Sequence, residues 1–203
     1  MKTRIVSVDI QPEYLEGIRF DLNSWCEYIN RSARTMPVTF FFNDKICMHG
    51  GNINTKQYIK WLIEIGIDPA IFEDENNKVI GKDFGFFMNS YDPLGTKITL
   101  KVLRYMLKND IWFSMDMDQD VLMNITKTDD PDLTYDTIWI PEDTFQSVAE
   151  IEEKIIFVGG ERFSCLKEIE LLAILLKKKY VLNEDFIYGG DNLTCSLKEA
   201  CKW

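Results

Sequence analysis

Three stretches of the chain, RIVSVDI (4–10), PVTFFFND (37–44) and IIFVGG (155–160), are short, dense in β-branched or aromatic residues, and end in polar loops. Runs of this length without apolar–polar alternation suit strands covered on both faces. Segments of helical period separate them. Residues 21–32 offer Asp21 as a cap, with Trp25, Tyr28 and Ile29 on one side. Residues 54–66 read as a helix opened by Thr55 and closed by Gly66, with Tyr58, Trp61, Leu62 and Ile65 sharing a face. Residues 95–110 read as a helix capped by Thr96, and residues 164–179 as one with a basic end. Pro141, followed by Glu142 and Asp143, marks another helix start. The acidic segment 111–132 reads mostly as loop, and YVLNEDFIYGG as a strand-like finish. Strands alternating with helices predict an α/β three-layer Rossmann-like sandwich with a mostly parallel central sheet. No linker or repeat interrupts residues 1–203, so a single α/β domain is expected.

A formal charge of −10 argues against a protein whose main task is to grip a nucleic-acid backbone. The start MKTRIVSVDIQPEY has no leader-like apolar stretch, and no run approaches the length of a spanning helix. Five scattered cysteines in such a chain read as reduced thiols, so a cytoplasmic protein without membrane contact is expected. His49 is the only histidine, which excludes a zinc site built from several.

In open parallel sheets the site lies beyond the carboxyl ends of the strands. That rule groups Asp9, Asn43 with Asp44, and the loop from Gly159 to Cys165. Ser164 reads as an N-cap, which puts Cys165 in the first turn of a helix, where free amides and the dipole lower a thiol pKa. Those amides, with Gly159 and Gly160, suit a developing oxyanion, and Asp9 suits a proton acceptor. A small buried packing residue is the other reading of Cys165.

The stretch VDIQPEY, with Asp9, Gln11, Glu13 and Tyr14, resembles the first-strand motif of the isochorismatase-like cysteine hydrolases, nicotinamidases among them. The strand–glycine–loop–Cys165–helix segment is similar to that family's nucleophile segment, and KKKYVLN to its return strand. In NITKTDDPDLTYD, Lys127 with Asp130, Pro131, Asp132 and Tyr135 looks like the family's lysine segment. The resemblance implies a cysteine hydrolase acting on a small amide or related molecule without a cofactor. Asp9 would be the base, Cys165 the nucleophile and Lys127 the site lysine, with Gln11, Asn43, Lys82, Gly159 and Gly160 around the substrate. The chain also resembles uncharacterised tailed-bacteriophage proteins through VDIQPEY, FND, GKDFGFF, WIPE and GGERFSCLKEIE, in that order. That second likeness makes Lys82 a rival to Lys127.

Asp116, Asp118 and Asp120 alternate in FSMDMDQD. With Asp9 they offer the hard oxygen ligands of a Mg²⁺ or Mn²⁺ site on a PIN-like or NYN-like nuclease, the one reading that brings in nucleic acid. A solvated acidic loop is the alternative. Neither an EF-hand nor a P-loop fits. A third reading is a non-catalytic binder of a nucleotide or protein.

Overall fold

The structure, a computed structural model, describes residues 2–15, 18–44, 53–82, 93–127, 138–162 and 164–189. The chain forms two compact units: Met1–Asp83 with Gln146–Gly190, and Phe84–Phe145 with Asp191–Trp203. Among the described residues no helix is long and apolar enough to cross a membrane.

The first unit holds a sheet of five parallel strands, β1 (Thr3–Val8), β2 (Val38–Asn43), β3 (Lys78–Lys82), β4 (Lys154–Gly159) and β5 (Tyr180–Leu182). Their order is β3-β2-β1-β4-β5. This is the α/β Rossmann-like architecture expected from the alternation of runs. The β1, β2 and β4 side chains are almost all buried, which is why these runs show no alternation. Past β1 the chain makes a short helix, α1 (Pro12–Leu15). Ile5, Phe40, Phe42 and Val158 join one apolar cluster with Trp25 and Ile29 of α2 (Leu22–Ser32) and with Tyr58 and Leu62 of α3 (Thr55–Glu64). Neighbouring side chains of a strand point to opposite faces. Val6, Val8 and Phe41 therefore face the other layer, where α7 (Cys165–Leu175) packs against β1.

Local chemistry sets the helix boundaries. Asp21 accepts a hydrogen bond from Ser24 N at 3.0 Å and so caps α2. The cap of α3 is Asn54, not Thr55: Asn54 and Gln57 form a reciprocal capping box. Helix α7 ends at Leu175, short of the lysines, and Lys178 then turns back to donate to Ala149 O and Ile151 O, each at 2.6 Å.

The second unit departs furthest from expectation. Helix α4 begins at Pro93, not at Thr96, and runs to Lys108. The acidic segment is not mostly loop. A 3-10 turn at Ser114–Asp116 leads into α5 (Gln119–Thr126), whose amides at Asp120 and Val121 are capped by Asp118. Phe113 pairs with Trp139 in an isolated antiparallel bridge, beside Ser114 N donating to Ile138 O at 2.8 Å. Helix α6 (Glu142–Ala149) opens just after Pro141, with Glu142 and Asp143 in its first turn.

Candidate active site

The carboxyl ends of β1, β2, β3 and β4 come together through register. Val8 pairs with Phe41 and with Gly159, while Asn43 pairs with Lys82. Asp9 follows β1 directly in a left-handed conformation, φ +43°, which aspartate tolerates better than most residues. Two tyrosine hydroxyls hold the backbone there. Tyr188 donates to Asp9 O at 3.2 Å and Tyr58 donates to Ile10 O at 3.0 Å. Gln11 closes the turn: its amide donates to Asn43 O at 3.1 Å and accepts from Asn43 N at 2.7 Å. Both groups of the Gln11 amide are thus engaged with backbone, so the residue ties the β1 and β2 ends together. Asn43 in turn donates through Nδ2 to the Tyr14 hydroxyl at 3.2 Å.

Lys82, the last residue of β3, is 1% exposed. Its ammonium lies 2.9 Å from Asp9 Oδ2 and 3.5 Å from Glu168 Oε2. Burial alone would lower this lysine's pKa, but Asp9 and then Glu168 outweigh it, so the group is held above its ordinary value and stays protonated. Cys165, at the first position of α7, is buried, and its thiol lies within electrostatic reach of Asp9 and Lys82. Asp9, Lys82 and Cys165 therefore form one cluster, carried by two strand ends and a helix start.

Lys127, the lysine nominated on the resemblance, is the exposed, left-handed C-cap of α5 in the second unit. The lysine paired with Asp9 is Lys82. Its strand was hard to foresee, because KVIGK is a five-residue edge strand with only Val79 and Ile80 to mark it. The segment 130–135 offered with Lys127 and the histidine at 49 lie outside the described residues. Asp116 and Asp118 are exposed in the second unit, and the Asp118 carboxylate is spent on the α5 amides. Among the described residues no group of three His, Cys, Asp or Glu side chains is placed to hold a metal ion.

The thiol also departs from expectation. A helix start should depress its pKa, yet here burial, and next the negative charge of Asp9, push it well up. Lys82 and the Ser164 hydroxyl, 3.7 Å from the sulfur, only partly counter them. The raised pKa favours the neutral thiol over a free thiolate at rest. Ser164 does not cap α7 with its side chain; its hydroxyl donates to Glu161 at 2.6 Å. The Leu166 amide is likewise taken by Glu161 O at 3.2 Å.

Gly159 and Gly160, with φ of +72° and +73°, turn the chain from β4 toward α7. A Cβ on Gly159 would stand 2.7 Å from both Ile10 Cγ1 and Val8 O, so glycine is required for the two strand ends to close on each other. Sequence reasoning missed Glu168 and Tyr188. Glu168 has the look of an ordinary first-turn acid, and Tyr188 sits in an unremarkable terminal run.

No protein-family model, curated protein or solved structure matches this chain. The cluster must be read from its own chemistry.

Proposed function

We propose that the protein is a cysteine hydrolase of the isochorismatase-like type, acting on a small amide or a related acyl compound. What carries this reading is the convergence of Asp9, Lys82 and Cys165: a buried thiol within electrostatic reach of a carboxyl group that a buried ammonium holds at 2.9 Å.

The reaction follows from those groups. The Cys165 sulfur attacks the substrate carbonyl as its proton moves to Asp9, so the negative charge passes from Asp9 to the carbonyl oxygen and no free thiolate has to exist in the buried site. Charge gathers on the carbonyl oxygen, and the Lys82 ammonium stabilises the anionic intermediate electrostatically. Collapse breaks the C–N bond, and Asp9 returns the proton to the leaving amine. Water then attacks the thioester with Asp9 as base, releasing the acid and restoring the thiol. A raised resting thiol pKa fits this scheme: burial raises it first, and Asp9, which raises it next, is the group that removes the proton.

A panel of small primary amides and activated esters tests the reading. Turnover, or an acyl adduct on the Cys165 peptide by mass spectrometry, is expected in the parent. Both should fall at least about a thousandfold in Cys165→Ala and in Asp9→Asn. Activity retained in Cys165→Ala, or neither turnover nor adduct across the panel, overturns it.

A further inference from the structure

The β1–β4 ladder stops at the pair Val8 and Gly159, one residue short of Asp9 and several short of Cys165. What fixes the two segments beyond that pair is a residue from the far end of the chain. Asp9 N still donates to Phe41 O at 2.8 Å, but Asp9 O accepts from a side chain, the Tyr188 hydroxyl at 3.2 Å. The backbone of the same tyrosine is bonded to the loop that leads to Cys165. Tyr188 N donates to Gly160 O at 3.2 Å, Arg162 N donates to Tyr188 O at 2.8 Å, and Glu161 faces Tyr188 in a parallel bridge. Glu161 in turn holds the start of α7. Its carbonyl accepts from Ser164 N and Leu166 N, each at 3.2 Å, and its carboxylate accepts from the Ser164 hydroxyl at 2.6 Å. A run of hydrogen bonds thus leads from Asp9 to the residues on either side of Cys165, and it crosses between them at Tyr188.

We infer that Tyr188 is a positioning residue: bonded to Asp9 through its hydroxyl and to the Cys165 loop through its backbone, it sets the base against the nucleophile. The roles of base and nucleophile rest on the hydrolase reading; the hydrogen bonds stand without it. Asp9 needs such a hold, because a non-glycine residue at φ +43° keeps that conformation only where its surroundings impose it. Tyr188 is itself firmly placed. It is buried, its ring meets Phe20 edge-on at 5.8 Å, and a Cβ on the following Gly189 would stand 2.6 Å from Glu161 Cγ. Burial raises its hydroxyl pKa first, so the proton given to Asp9 O is retained. Proton transfer requires the two partners within hydrogen-bond reach, and a small misplacement of either slows it severely. Tyr58 supplies a contrast. Its hydroxyl donates to the next carbonyl, Ile10 O, at 3.0 Å, but it stands on α3, in the layer opposite α7.

Tyr188→Phe keeps the ring and removes the hydroxyl. Iodoacetamide labelling of the Cys165 peptide, read by mass spectrometry at about pH 8, needs no substrate. Asp9 opposes a negative charge on the sulfur, and a carboxylate no longer fixed opposes it less, so labelling should rise roughly threefold. In Asp9→Asn the same substitution should change labelling by less than about 1.5-fold, because the group it acts through has lost its charge. Tyr58→Phe removes a bond of the same kind from the same turn. It should raise labelling by less than about 1.5-fold, and it supplies the comparison if Asp9→Asn does not fold. A merely structural tyrosine would loosen the site alike with and without the Asp9 charge, and the two tyrosines would be interchangeable. Equal factors in the two backgrounds, equal factors from the two tyrosines, or no rise in Tyr188→Phe overturns the inference. Where a substrate is turned over, Tyr188→Phe should lower kcat about tenfold with KM within about twofold; a raised KM at unchanged kcat counts against it. Labelling coupled to Asp9 without turnover of any substrate leaves the inference standing while the hydrolase reading falls, and turnover with uncoupled labelling does the reverse.

Discussion

Replacing Lys82 with methionine keeps the length of the side chain and removes its charge from the interior. The ammonium has carboxylate contacts at 2.9 Å and 3.5 Å, and the Lys82 and Asp9 side chains are fully buried. Deleting one partner of such a pair leaves an uncompensated charge, at a cost of about 3–5 kcal/mol. Glu168, slightly exposed, adds less than Asp9 to that cost. For a chain of this size each kcal/mol is about 2–4 °C in Tm, so Lys82→Met should melt roughly 6–20 °C below the parent. Urea unfolding followed by tryptophan fluorescence reads the change, since Trp25 is buried in the core of the same unit. The pH dependence has a definite sign. Lys82 has a folded pKa above its unfolded one, so its contribution is complete below about pH 10 and is lost only as pH rises through the folded value. The double variant Asp9→Asn/Lys82→Met should recover more than half of the loss, since a neutral pair restores the balance of charge. A loss below about 1 kcal/mol, or no recovery in the double variant, refutes the argument that this pair is buried and coupled.

Gly159→Ala should cost about 1–3 kcal/mol, because the new methyl meets Ile10 and Val8 at 2.7 Å and the backbone must hold φ +72°; chemical denaturation measures it, and an alanine accepted without loss would place the β1 and β4 ends further apart than described. At the opposite edge of the sheet, Arg4 hydrogen-bonds Glu153 through Nε at 3.3 Å and Nη2 at 3.2 Å. Burial alone would raise the Glu153 carboxyl, but the Arg4 hydrogen bond and charge hold it below its ordinary value, so this stabilisation is present above about pH 4 and lost as pH falls through the folded value; Arg4→Met should flatten that acid limb in a stability-versus-pH series.

The sequence spoke most plainly where burial was two-sided. β1, β2 and β4 are legible as apolar runs, and their ends place Asp9, Asn43 and Gly159 on one edge without any knowledge of packing. β3 carries no such signature. As an edge strand it is only partly buried, so its composition is mixed and Lys82 shows no more promise in the sequence than any other lysine. Lys127 stands in a segment resembling a known motif, and its backbone forms the left-handed end of α5. The thiol's shift was misjudged for a related reason. A helix start is visible in GGERFSCLKEIE, whereas the depth of the sulfur and the approach of Asp9 depend on residues over a hundred and fifty positions away. In the acidic segment, alternating charge masks the helix: Asp118 is a cap for α5, and a cap and a solvated acid look alike in sequence.

Gln11 has a consequence of a different kind. In a parallel ladder, Asn43 would exchange hydrogen bonds with main-chain groups at residues 9 and 11 were β1 to run on. The Gln11 amide supplies both partners instead. It acts as a surrogate peptide group that lets the chain leave the sheet while the rung survives, and Asp9 O is released to receive Tyr188. Any residue can supply a peptide group, but this rung is written in one codon. Glutamate offers no donor, and asparagine is a methylene short. A single base change from glutamine to glutamate would put a buried carboxylate oxygen against Asn43 O, so the join between the β1 and β2 ends is fixed by one letter of the gene where a continuous strand would have been indifferent to it.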